Sequence, residues 1–330
     1  MTRHAADFIR DLGLHKLHYT RGGDTLVVTF DNAGIPYKEP YDRKPWGHKF
    51  FVGEGCSVLG VIPQRGLWYR DPALFEALDN LRDEGFFRAF AKVVFTGSSM
   101  GGYAAAAFSS LAEGAVVICY NPVSTLAPDL VPWETGYDKG KQHNWDGRYR
   151  DSAAEIATAR QVYVLYDPMT RSDRLHAQRY SGPNVMHLAT PFFGHGIPGV
   201  LLEMDRLKQV MREGVAETLT PAGFARMIRH RRSATKYWKC LVEALIRTNR
   251  MAAGAHYCRR MLEAGDSPYF RYRLILCLAG DGQPGAALDL LENLEHERKV
   301  LRKKGVKRPA QKPKARPGPQ IPEPAAPPLP

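Results

Sequence analysis

Cysteine is scarce in this 330-residue chain, and its five copies (Cys56, Cys119, Cys240, Cys258, Cys277) are odd in number and scattered. That excludes a disulfide framework, and the mostly apolar settings read as buried thiols in a reducing compartment, so a cytoplasmic protein is expected. No cysteine pair has metal-ligand spacing, and no metal cluster or phosphate-binding glycine loop is present, so neither a metal nor another cofactor is expected. No stretch approaches the roughly 18 consecutive apolar residues of a membrane span. The first residues, MTRHAADFIRDLGLHKL, carry Asp7 and Asp11 and lack the apolar core of a secretory signal. Acidic residues are scarce only towards the end. Residues 1–215 hold 24 Lys/Arg and 24 Asp/Glu, residues 216–300 hold 14 and 9, and residues 301–330 hold 8 and 1. The net charge of +12 therefore belongs to the C-terminal third, and the whole-chain pI does not make the rest a nucleic-acid binder.

The chain is organised around Lys92 to Tyr103, KVVFTGSSMGGY. Val93-Val94-Phe95 reads as a strand buried on both faces, and Ala104 to Ala107 as the start of a helix. Between them lies Gly97-Ser98-Ser99-Met100-Gly101, a G-x-S-x-G. A glycine-rich connection without chemistry would show the same letters, but the placement between strand and helix is what an exposed serine nucleophile needs. The turn is strained, the glycines permit close approach, and the next N–H, that of Met100, can meet an oxyanion.

Before this stretch, residues 3–13 read as a short amphipathic helix. His15 to Thr20 and Thr25 to Phe30 read as strands around Arg21-Gly22-Gly23-Asp24. Asp31-Asn32-Ala33-Gly34 follows the second, where an amide near Asp31 or Asn32 is a candidate second oxyanion donor and an ordinary Asx turn is the alternative. Cys56 to Ile62 reads as a strand and Asp71 or Pro72 to Arg82 as a helix. Ala115 to Tyr120 is a further strand. Residues 125–150, rich in aromatics among prolines and glycines, read as a lid or substrate-binding insertion rather than a plain surface loop, with Trp133, Tyr137 and Tyr103 as candidate substrate contacts. Ser152 to Ala159 reads as a helix and Gln161 to Tyr166 as a strand. A helix runs from Asp173 to Tyr180, and Asn184 to Ala189 is the last strand. A helix from about Pro198 to Arg212 completes the pattern. Alternating strands and helices over the first 215 residues imply a mostly parallel sheet covered on both faces.

A serine needs a base, and the base needs an acid to fix its tautomer. Ser99, then an acid, then His195 in Gly-His-Gly each follow a strand, in the order Ser, Asp, His. His176, within a helix, and His187, within a strand, read as structural. Two acids compete. Asp167, before Pro168 at a strand end, is preferred; Asp173, six residues on, also reads as a helix N-cap.

Residues 24–214 resemble the α/β-hydrolase superfamily. Gly97 to Tyr103, the Asp167-Pro168 step and Gly194-His195-Gly196 carry the likeness, and the Tyr120-to-Leu126 segment looks like bacterial hydrolase-like proteins, some associated with glycan handling. The resemblance implies cleavage of an ester, thioester or amide, or acyl transfer, by a Ser–His–Asp triad without a cofactor. A serine esterase acting on a small-molecule or glycan ester is expected, with transfer to a glycan or other alcohol as the alternative. The usual His-Gly-Gly-type oxyanion loop is replaced by Asp31-Asn32.

After about residue 215 the pattern is helical only, with apolar faces at Trp238, Leu241, Ala244 and Leu245 and at Ala253, Tyr257 and Met261. Ala253 and Ala286 are 33 residues apart, which resembles a pair of tetratricopeptide-like hairpins rather than a plain helical appendage. Three units are expected: an α/β-hydrolase-like domain over 1–215, a helical domain over 216–301 that could bind a protein partner, and a basic, proline-rich disordered tail over 302–330. The tail is the one segment placed to touch nucleic acid, and weakly. A non-catalytic interaction factor using the helices is the reading from another class.

Overall fold

The computed structural model describes residues 5–303. Eight strands form one sheet: β1 (Phe8–Asp11), β2 (His15–Thr20), β3 (Thr25–Phe30), β4 (Ser57–Pro63), β5 (Lys92–Ser98), β6 (Val116–Tyr120), β7 (Gln161–Tyr166) and β8 (Val185–Ala189). Their order is β1-β2-β4-β3-β5-β6-β7-β8. The pairs from β4 through β3 to β8 are parallel, whereas the β1–β2 and β2–β4 pairs are antiparallel, so β2 alone runs against the other strands. The central strands are continuous apolar runs because both faces are covered.

Two clusters make the core. On one face α2 (Pro72–Asp83), α3 (Met100–Ala107) and the long insertion after β6 pack Leu74, Leu78, Tyr103, Phe108 and Trp145 against Phe30, Phe95 and Val117. On the other, α1 (His48–Gly53), α7 (Ile197–Glu203), α8 (Leu207–Val215) and α9 (Pro221–Met227) pack against Val27, Val94, Ile118 and Leu165. The insertion carries the short α4 (Asp138–Lys141), and α5 (Ser152–Glu155) and α6 (Arg171–Arg179) flank β7.

The C-terminal helices are α10 (Thr235–Arg247), α11 (Met251–Ala264), α12 (Pro268–Gly280) and α13 (Pro284–Lys303), each packed on the one before it. Trp238, Leu241, Cys258, Phe270 and Cys277 continue the second core cluster, and α10 lies against α7. The fold is thus an α/β-hydrolase-like, mostly parallel sheet with helices on both faces and an all-helical C-terminal extension. No helix among the described residues is long and apolar enough to cross a membrane. The proposed tail, 302–330, lies outside the described residues apart from the last turn of α13.

Two expectations need correction. The helix expected over 3–13 does not form among its described residues, 5–13: Phe8–Asp11 is an edge strand. Phe8 packs its ring 5.2 Å from that of Tyr19, and Asp11 Oδ1 accepts from Gly13 N–H at 2.9 Å in a turn that Gly13 closes at φ +82°. Pairing with β2 outweighed a weak helical period. The helix expected over 198–212 is two helices, broken where Asp205 takes φ +55°.

Candidate active site

The carboxyl ends of the parallel strands converge on one edge of the sheet, where ligands sit in open α/β folds. Ser99 stands there as the residue capping α3, with φ +57° and ψ −117°. This is the strained conformation that thrusts its hydroxyl out of the turn. The glycines around it are required by space. A Cβ on Gly97 would lie 2.2 Å from the Gly101 carbonyl oxygen, and one on Gly101 would lie 2.4 Å from that of Phe30. Strand β3 and helix α3 therefore meet backbone to backbone beside the serine.

Ser99 Oγ lies 2.7 Å from His195 Nε2, and His195 Nδ1 lies 2.6 Å from Asp173 Oδ1. A buried carboxylate takes the Nδ1–H, which leaves the Nε2 lone pair facing the serine hydroxyl. His195 is about one-third exposed, and Asp173 is buried. Asp173 is held in turn: Asn121 Nδ2 donates to its Oδ2 at 2.6 Å and to the Gly194 carbonyl at 3.2 Å, while Asn121 Oδ1 accepts from Ile197 N–H at 3.3 Å. Asn121, at φ +47° just past β6, thus ties the acid to the loop that carries the histidine. Sequence reading missed it; an Asn-Pro step directly after a buried strand was the available signal.

Asp173, and not the preferred Asp167, is the carboxylate in hydrogen-bond contact with His195. Asp167 Oδ1 accepts from the amides of Met169 (2.8 Å) and Phe192 (3.1 Å), and Oδ2 from that of Gly194 (2.7 Å). Burial pushes its carboxyl above the ordinary range, against those three donors. It braces the turn after β7 and the histidine loop. Asp173 is no N-cap: it sits in the first turn of α6, which Thr170 precedes.

Ser99, His195 and Asn32 line one cleft of about 400 Å³, with Ala33, Gly34, Gly196, Gly199 and Lys236. Asn32 does make an Asx turn, its Oδ1 accepting from Gly34 N–H at 2.8 Å. The strand end before it is anchored by Asp31, whose carboxylate accepts from Arg43 at 2.6 and 3.1 Å and from Trp46 N–H at 3.2 Å. Met100 opens α3, and the first amides of a helix have no carbonyl one turn back.

The insertion contributes Tyr137, whose hydroxyl lies 3.3 Å from His195 Nε2. Burial raises its phenol above the usual range, so it stays protonated. Two clamps hold the insertion. Arg70 donates to the carbonyls of Asn144, Arg148 and Asp146 at 2.8–3.0 Å. Glu134 accepts from Ser172, from Gly136 N–H at 2.6 Å and from His176 Nε2 at 3.2 Å. The other two aromatic candidates stand elsewhere. Tyr103 is fully buried and donates to the Tyr149 carbonyl at 2.5 Å. Trp133 packs edge-on against His176, ring centroids 4.7 Å apart. No group of three or more metal-ligating side chains occurs among the described residues.

No protein-family model matches the chain, and no curated protein matches it. Among solved structures it is similar to the capsule O-acetyltransferase of Neisseria meningitidis serogroup A, with 12% identity and TM-score 0.42 over 63% of this chain and 94% of that one. It is similar to Mycobacterium tuberculosis MPT51, with 16% identity and TM-score 0.39 over 65% and 98%. It is also similar to EstE1, a carboxylesterase from a metagenomic library, with 15% identity and TM-score 0.36 over 71% and 91%. Likeness at this level carries nothing about activity, and the chemistry of the site stands on its own geometry.

Proposed function

We propose that the protein is a serine hydrolase that cleaves an acyl ester. The observation that carries this is the continuous chain from Ser99 to His195 to Asp173, with contacts of 2.7 and 2.6 Å on a strained strand-to-helix turn. Ser99 Oγ attacks the acyl carbonyl while its proton passes to His195 Nε2; Asp173 stabilises the imidazolium. The Met100 amide, with a donor from the Asn32 turn, meets the oxyanion. His195 then protonates the departing alkoxide, and water repeats the sequence on the acyl-enzyme. No step calls for a cofactor. An alcohol, such as a glycan hydroxyl, entering in place of water would make the same site a transferase.

The packing of α10 to α13 one on the next supports the tetratricopeptide-like reading of 216–301 as a helical unit able to hold a protein partner. Its continuity with the sheet's second core cluster ties it to the hydrolase-like unit over 1–215. The cysteines are free and four of the five are buried, which favours a reducing compartment such as the cytoplasm.

The test is covalent labelling by a fluorophosphonate probe. The wild-type protein should label and Ser99→Ala should not. A folded wild-type protein that fails to label would sink the enzyme reading and favour an interaction factor built on the helices. Acyl release measured with and without a glycan acceptor would then separate hydrolysis from transfer.

A further inference from the structure

One wall of the Ser99 cleft comes from outside the α/β unit. Lys236, in the first turn of α10, lines it beside Gly196, Pro198 and Gly199, the segment that continues directly from His195. Gly199 makes room for it: a Cβ there would stand 2.9 Å from Lys236 Nζ. The ammonium lies 3.3 Å from the Gly199 carbonyl and 3.1 Å from Glu203 Oε1, with its side chain about half exposed.

Glu203 does not cancel this charge. The same carboxylate also accepts the Lys236 backbone N–H at 3.0 Å, so its charge is divided between two donors. The ion pair is exposed, and a pair of this kind is weakly held, so Lys236 can turn to a ligand at little cost. Among the described residues no carboxylate lines the cleft, and Lys236 is the one Lys or Arg that does. The wall it stands on is continuous with His195, the residue that must hand its proton to the leaving oxygen.

We infer that the substrate's alcohol portion carries an anionic group and that Lys236, supplied by the helical extension, selects it. This rests on the hydrolase reading of Ser99. A unit charge about 4 Å from an ammonium in water is worth roughly a fivefold change in an equilibrium or a rate. The extension is then part of the substrate site.

Two acetate esters of matched shape test this, 4-acetoxybenzoate (anionic) and 4-acetoxybenzamide (neutral). The ratio of their kcat/KM values should favour the anion in the wild type, fall about fivefold in Lys236→Gln and be largely kept in Lys236→Arg. High salt should lower the wild-type ratio towards that of Lys236→Gln. An unchanged ratio in Lys236→Gln, with melting temperature preserved, overturns the inference. Binding gives a reading independent of turnover: Ser99→Ala should hold 4-acetoxybenzoate several-fold better than Ser99→Ala/Lys236→Gln in equilibrium dialysis. If neither ester is cleaved and that difference persists, the esterase reading falls and the anion site stands. Equal binding removes the site.

Discussion

Replacing Asp173 by Asn should cost three to four orders of magnitude in kcat, and the neighbouring contacts say why. Asn121 Oδ1 accepts from Ile197 N–H, so its Nδ2 must face residue 173, where it donates to Oδ2. An Asn at 173 must turn its own carbonyl towards that donor. Its amide NH2 then faces His195 Nδ1, 2.6 Å from the present Oδ1 position. Two donors cannot meet, so Nδ1 becomes the acceptor and Nε2 carries the proton. His195 would then donate to Ser99 Oγ when it should accept from it, and the hydroxyl has no base. The wrong tautomer in a Ser–His–Asp site costs about 10⁴ in kcat, about 5 kcal/mol of barrier. Asp167→Asn should behave in the opposite way. It sets an NH2 against one of three backbone amides, so it should lose about 1–3 kcal/mol of stability and lower kcat about tenfold or less. Release of 4-nitrophenol from its acetate and melting temperature, measured on both variants, give the answer. A folded Asp173→Asn within tenfold of wild-type kcat, or a folded Asp167→Asn down a thousandfold, would refute the reasoning.

Gly97→Ala should destabilise by more than about 3 kcal/mol, because its Cβ would collide with backbone, which cannot swing aside; a variant melting within 2 °C of wild type contradicts the close approach. Acid should loosen the insertion in two stages. Burial holds His176 below its ordinary 6.5, against the pull of Glu134, and its Nδ1 accepts the Ser124 N–H at 3.2 Å. The unfolded chain therefore takes the proton first, and stability falls as pH drops below about 6.5. Burial alone would raise Glu134, but the donors His176, Ser172 and Gly136 outweigh it and bring it down to about 2 from 4.5. Its contribution is present above about 4.5 and lost between there and 2. Thermal melts from pH 7 to 5 should fall more steeply for wild type than for His176→Gln; parallel curves would remove this pair from the account.

Much of this protein was legible in its residues. The parallel strands are apolar runs ended by Gly, Asn, Asp and Pro, a signal carried by local composition. The G-x-S-x-G between strand and helix and the Gly-His-Gly after the last strand marked Ser99 and His195, which meet at 2.7 Å, because a strained turn and an unencumbered loop need glycine. The Asx turn at Asn32 was likewise local chemistry. Phe8–Asp11 could not be read, because an edge strand of four residues is made by its partner β2. Which of Asp167 and Asp173 meets the imidazole is a matter of distance. Both follow β7, and sequence holds no record of which carboxylate faces the imidazole and which gathers the backbone amides of Met169, Phe192 and Gly194. Tyr103, aromatic and next to the motif, reads as a contact and is core; Tyr137, 38 residues beyond Ser99, comes to the histidine because Arg70 and Glu134 fasten the insertion. The entry of Lys236 into the cleft wall is of the same kind. Local patterns dictate elements and turns through short-range sterics and hydrogen bonds, whereas the meeting of side chains far apart in sequence depends on how the sheet and helices pack, which only the tertiary structure decides.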